Sequence, residues 1–183
     1  MTVRLVALAV CVILAAGCSP RTDAIDESGT EVVPPDTGPQ LLTADHIANL
    51  IAADGAQHTV LVLTGPADPT GFDKVLQGIA TGAPEWLALV PAIQPATDGM
   101  YAEGLQDALA TALTLNAPGV LALMPANAAP VFVCTATTPP DARTVAARAA
   151  LQAVDDPALQ ARKERCLAYM DADEAQLAAL EAE

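Results

Sequence analysis

Apolar positions follow three rhythms along this chain of 183 residues. From Leu5 to Ala16 they form an unbroken run of twelve residues behind a lone Arg4. From Ser19 to Gln40 they are scattered without period among Pro20, Pro34, Pro35, Pro39 and five acids. From Leu41 onward they recur at helical spacing. The first run is too short to cross a bilayer, which takes about 20 apolar residues, but it suits the hydrophobic region of a secretory signal. The second stretch cannot bury enough surface to offset ordering and reads as a spacer, about 25 Å end to end for a flexible chain of its length. The rhythms thus predict a removable signal over residues 1–17, a tether over 18–40 and one folded domain over 41–183. Cutting after Gly17 leaves 166 residues, enough for one domain with a core.

Within the domain, Thr43 is placed to cap a first helix in which Ile47, Leu50 and Ile51 share a face, and Gly55 is a plausible stop. His46 lies off that stripe and is expected at the surface. Val60-Leu61-Val62-Leu63 is apolar throughout, so periodicity cannot separate helix from strand. It reads as a short helix or a buried extended segment, because its only candidate strand partner is 130–135. Farther on, Thr137-Thr138-Pro139-Pro140 is a loop, and a helix is predicted over 141–154. Asp156 and Pro157 then fit the cap and first turn of a last helix. Its buried stripe would be Leu159, Cys166, Leu167, Met170, Leu177 and Leu180.

An internal repeat organises the middle. Residues 83–92 (Ala-Pro-Glu-Trp-Leu-Ala-Leu-Val-Pro-Ala) and 117–126 (Ala-Pro-Gly-Val-Leu-Ala-Leu-Met-Pro-Ala) agree at seven of ten positions with an offset of 34. Pro84 and Pro118 suit a first helical turn, while Pro91 and Pro125 are expected to end each helix. At the same offset Val75 and Ile79, in the stretch upstream, map onto Leu109 and Leu113. The unit is a pair of helices whose period resembles that of helical-repeat proteins. No third copy is found at Asn49 or Leu151. Trp86, the sole tryptophan, lies in helical register with Leu89 and Val90 and is expected to pack in the core rather than form a ligand platform.

Leu14-Ala15-Ala16-Gly17-Cys18 resembles the lipobox of bacterial lipoproteins, with small residues and Gly directly before a Cys. The resemblance covers only the first 20 or so residues. It implies that Cys18 is the lipidated mature N-terminus, anchored in a membrane and facing the periplasm. Ser19 follows in place of Asp, which by the sorting habits of that class points to the outer membrane. Cys11 then leaves with the signal, and Cys134 and Cys166 remain. In an exported chain, two cysteines favour a disulfide. Their spacing fits no zinc motif, and His46 and His58 lie far away in sequence.

Loss of Arg4 leaves 7 basic against 22 acidic residues, a formal charge of −15. Nucleic acid is thus a poor partner. Lys74 is the only basic residue from Thr22 to Ala142, whereas Arg143, Arg148, Arg162, Lys163 and Arg165 cluster near the end. An acidic face for a basic partner is one reading, and a solvated surface is the other. Serine is absent from Leu41 to Glu183, which removes a Ser-His-Asp hydrolase. No Gly-rich phosphate loop followed by Lys occurs. Glu85, Glu103 or Glu164 could pair with an aspartate across a cleft, as in glycan-cleaving enzymes, but nothing ranks one above another.

The expected fold is all-α, about six helices built on two tandem helix pairs and stapled from Cys134 to Cys166; an α+β domain with a short strand pair is the alternative. The expected function is a lipid-anchored envelope protein with a protein-binding helical domain, of inhibitor, immunity or adaptor type. No cofactor, no metal and no catalytic residue is expected. A carboxylate-based enzyme of cell-wall glycan and a small-molecule-binding lipoprotein are the alternatives.

Overall fold

A computed structural model describes residues 42–125 and 133–172, all within one compact unit, Gln40–Glu183. They are all-α, and no strand occurs among the described residues. Among the described residues, nine α-helical segments take the place of the expected six or so: α1 Ala44–Asp54, α2 Ala56–Leu63, α3 Gly71–Ala80, α4 Pro84–Leu87, α5 Val90–Ile93, α6 Gly99–Leu113, α7 Ala117–Leu123, α8 Ala142–Gln152 and α9 Gln160–Asp171.

Thr43 caps α1, its hydroxyl accepting from the His46 amide at 3.2 Å, and His46 itself is exposed. Gly55 stops α1 at φ +83°, donating to the Ile51 carbonyl at 2.9 Å. Only glycine adopts that φ cheaply, so one residue both ends α1 and opens α2. The Val60–Leu63 run is helical. Val60 and Leu63 are buried while Leu61 and Val62 face solvent, a three-residue spacing that the all-apolar sequence hid. The strand alternative fails on this point. Of its proposed partner, residues 130–132 lie outside the described residues and 133–135 are not strand.

The two repeats are two helix pairs, α3 with α4 and α6 with α7. Helices α3 and α6 run parallel: Phe72 meets Tyr101 edge-on at 5.4 Å, and one turn along both helices Leu76 lies against Gly104. Val75, Ile79, Leu109 and Leu113 are all core residues, as the repeat required. The equivalent turns touch directly, since Asn116 Nδ2 donates to the Gly82 carbonyl at 2.7 Å across 34 residues. Pro91 departs from expectation. The helix begun at Pro84 does end early, but Pro91 sits in the first turn of α5, so it restarts a helix there.

Two further pairs flank the repeats, α1 with α2 and α8 with α9, and the four pairs form two rows. One row packs α2, α3, α6 and α8 in succession; the other packs α1, α4, α7 and the 3-10 turn Pro157–Leu159 that leads into α9. The last pair therefore extends the stack with no sequence copy of the repeat. Asp141 caps α8 through the Thr144 amide at 2.7 Å, and Asp156 caps the turn through Ala158 at 2.9 Å. Leu159, Cys166 and Met170 are buried and Leu167 partly so, while Leu177 and Leu180 lie outside the described residues.

Candidate functional site

Cys134 and Cys166 are bonded, with Cα atoms 5.2 Å apart and both side chains fully buried. That separation is comfortable for a disulfide. The bond ties the segment that follows the second repeat to the middle of α9. Its burial keeps reductants away and suits a fastener better than an exchangeable thiol pair.

Four of the five basic residues gathered in α8 and α9 prove to be fasteners as well. Arg162 Nε donates to the Met124 carbonyl at 2.8 Å, just past the end of α7. Its neighbour Lys163 donates to the carbonyls of Gln152 at 3.2 Å and Val154 at 2.6 Å, at the end of α8. Helix C-termini leave unpaired carbonyls and a partial negative charge, so a cation there satisfies both. Two consecutive residues of α9 thus close two different helices. Arg143 bonds Asp107 of α6, and Arg148 pairs with Asp171 at 2.7 Å. Lys74 pairs with Asp68 at 3.7 Å. Arg165 is exposed and makes no ion pair among the described residues.

Acidic residues are used differently. Asp45, Asp54, Asp73, Glu85, Asp98 and Glu103 are all exposed, and none has an ion-pair partner among the described residues. Asp141, like Asp156, has a structural role as a cap. The Thr144 backbone amide, then the Thr144 hydroxyl, hold the Asp141 carboxyl below the usual carboxylate value, with desolvation opposing them. Of the three glutamates weighed as catalytic acids, Glu85 lies on α4, Glu103 on α6 and Glu164 on α9, each exposed. Among the described residues no three His, Cys, Asp or Glu side chains come together to hold a metal, and no helix is long and apolar enough to cross a membrane. Cys18 lies outside the described residues.

Trp86 is half-buried, its ring over Gly78, in keeping with a packing role. Sequence reasoning missed two polar groups. Asn116 caps α7 by accepting from Gly119 at 3.0 Å while bonding Gly82, a dual role hinted at only by its position before Ala117-Pro118. Tyr169 is buried with a hydroxyl that finds no partner among the described residues. No family model, curated protein or solved structure matches the chain.

Proposed function

We propose that this chain is a lipid-anchored protein of the bacterial cell envelope, held through Cys18 with the outer membrane favoured, whose helical domain binds a basic protein. An inhibitor or immunity-type role against a basic, envelope-acting enzyme is the concrete form. The observation that carries the reading is the unequal use of charge. Five of the six described cations are engaged by carbonyls or carboxylates of the fold, while Asp45, Asp54, Asp73, Glu85, Asp98, Glu103, Asp155 and Glu164 stand in solvent with no ion-pair partner among the described residues. Such a surface steers cationic partners and repels acidic ones.

The test is affinity capture with the chain from Ser19 onward as bait. A retained basic protein whose affinity falls as salt rises supports the reading, because exposed charges are screened beyond about 8 Å at physiological ionic strength. An acidic partner, or binding indifferent to salt, overturns it. The anchor is tested separately: Cys18→Ala should abolish palmitate labelling and release the protein from membranes.

A further inference from the structure

The disulfide poses a question of access. Cys134 and Cys166 are both 0% exposed, and both belong to one buried apolar cluster with Leu151, Leu159 and Met170. Thiol–disulfide exchange needs a sulfur that the partner's disulfide can reach. With α9 in place, neither sulfur offers that approach. Helix α9 also has ties other than the bond, and they stand on both sides of Cys166. Before it, Arg162 holds the Met124 carbonyl, and Lys163 holds those of Gln152 and Val154. After it, Arg148 of α8 reaches the Met170 carbonyl at 3.4 Å and the Asp171 carboxylate at 2.7 Å. Arg162 and Cys166 are four residues apart on a helix, so one face of α9 carries both the clasp and the thiol.

We infer that Cys134 and Cys166 are oxidised before α9 docks. The chain is a substrate for a disulfide-bearing oxidant only while α9 is undocked, and a reduced chain whose α9 docks first is held as a dithiol. The chemistry is two exchanges in sequence. One Cys thiolate, its proton lost to water, attacks the oxidant's disulfide, forms a mixed disulfide and expels one thiolate. The second Cys thiolate attacks that mixed disulfide, closing the bond between Cys134 and Cys166 and expelling the other. The two cysteines together lose two electrons, and the oxidant's two sulfurs leave as thiols. Oxidation and clasping are therefore rivals for the same helix, and their order decides whether the domain carries its fastener.

The test uses the chain from Ser19 onward, which keeps the whole compact unit Gln40–Glu183 and has Cys134 and Cys166 as its only thiols. The protein is reduced in denaturant, refolded without oxidant and exposed to oxidised glutathione. Free thiols are followed over time by gel shift with a polyethylene-glycol maleimide after a denaturing quench. Oxidation should be slower in buffer than in denaturant by about tenfold or more, once a short two-cysteine peptide has corrected for the solvent, because it waits on local opening. Arg162→Gln with Lys163→Gln should speed oxidation in buffer several-fold while circular dichroism stays helical; Lys163→Gln alone serves if the pair fails to fold. Arg143→Gln, which removes a tie between α8 and α6, should leave the rate as slow as before. Equal rates in buffer and denaturant overturn the inference, since the docked helix then shields nothing. A rate indifferent to the α9 variants, or raised as much by Arg143→Gln, also overturns it, because the shielding would not come from the clasp.

Discussion

The α3–α4 pair and the α6–α7 pair share a backbone plan but fill it differently. In the first, Gly78 lies under the ring of Trp86; in the second, the matching positions are Ala112 and Val120, both fully buried. One copy sets the smallest residue against the largest, the other two of middling size. Interiors are close-packed, so changing one partner alone leaves a void or a clash. The joining turns diverge as well. Gly82, at φ +70°, offers a carbonyl, and Asn116, at φ −145°, supplies the amide that binds it. Copies stacked in a row meet through unlike faces, so equivalent positions are free to become donor and acceptor.

The largest expected effect acts beyond the second pair, where the disulfide ties the segment that follows it to α9. Replacing Cys134 and Cys166 by Ser should destabilise the domain by about 3–4 kcal/mol, seen as a lower midpoint in denaturant melts, with partner binding retained below that midpoint. Loss of binding by a still-folded variant would put the cysteines in the functional surface.

Next in size, Gly78→Ala should cost about 1–3 kcal/mol, since its Cβ would meet the Trp86 ring. Adding Trp86→Val copies the second pair into the first. It should recover most of that loss, and a double-mutant cycle with additive costs would refute the exchange of volumes.

Asn116→Ala removes the α7 cap and the bond to Gly82 together, for about 1–2 kcal/mol by chemical denaturation. Gly82→Asn should not reproduce the second copy, because Gly82 sits at positive φ with a Cβ position crowded by Asn116.

The smallest effect contrasts the neutral cap of α7 with the ionised cap of α8. The folded-state pKa of Asp141 is depressed, so its charge contributes stability above the ordinary carboxylate value and loses it as pH falls through the folded value. Asp141→Asn keeps a capping side chain and should flatten the acid limb of a stability-versus-pH curve. An unchanged acid limb would show that Asp141 is not the group responsible.

What was readable in the sequence follows from locality. Caps at Thr43 and Asp156 depend on residues two or three positions away, and the disulfide followed from having two cysteines to pair. The α2 run was ambiguous because all four residues are apolar; the difference between Val60 and Leu61 lies in what packs beside them. Pro91 reads equally as a stop or a start, because proline both ends and begins helices and the backbone before it decides which. The last pair was invisible as a repeat since α8 and α9 share the stacking but not the residues. The basic cluster carried no assigned role in the sequence, and only carbonyls at Met124, Gln152 and Val154 reveal Arg162 and Lys163 as closures.

Those closures have a consequence for the order in which the molecule comes into being. The Arg162 bond reaches back 38 residues, the disulfide 32 and the Lys163 bonds 11 and 9, and every one of these ties departs from a span of five residues in α9. A nascent chain that has not yet delivered residues 162–166 holds none of them, so α7 and α8 emerge with raw carbonyl ends. Such a chain lacks these ties until α9 arrives, and that arrival fastens three segments at a stroke.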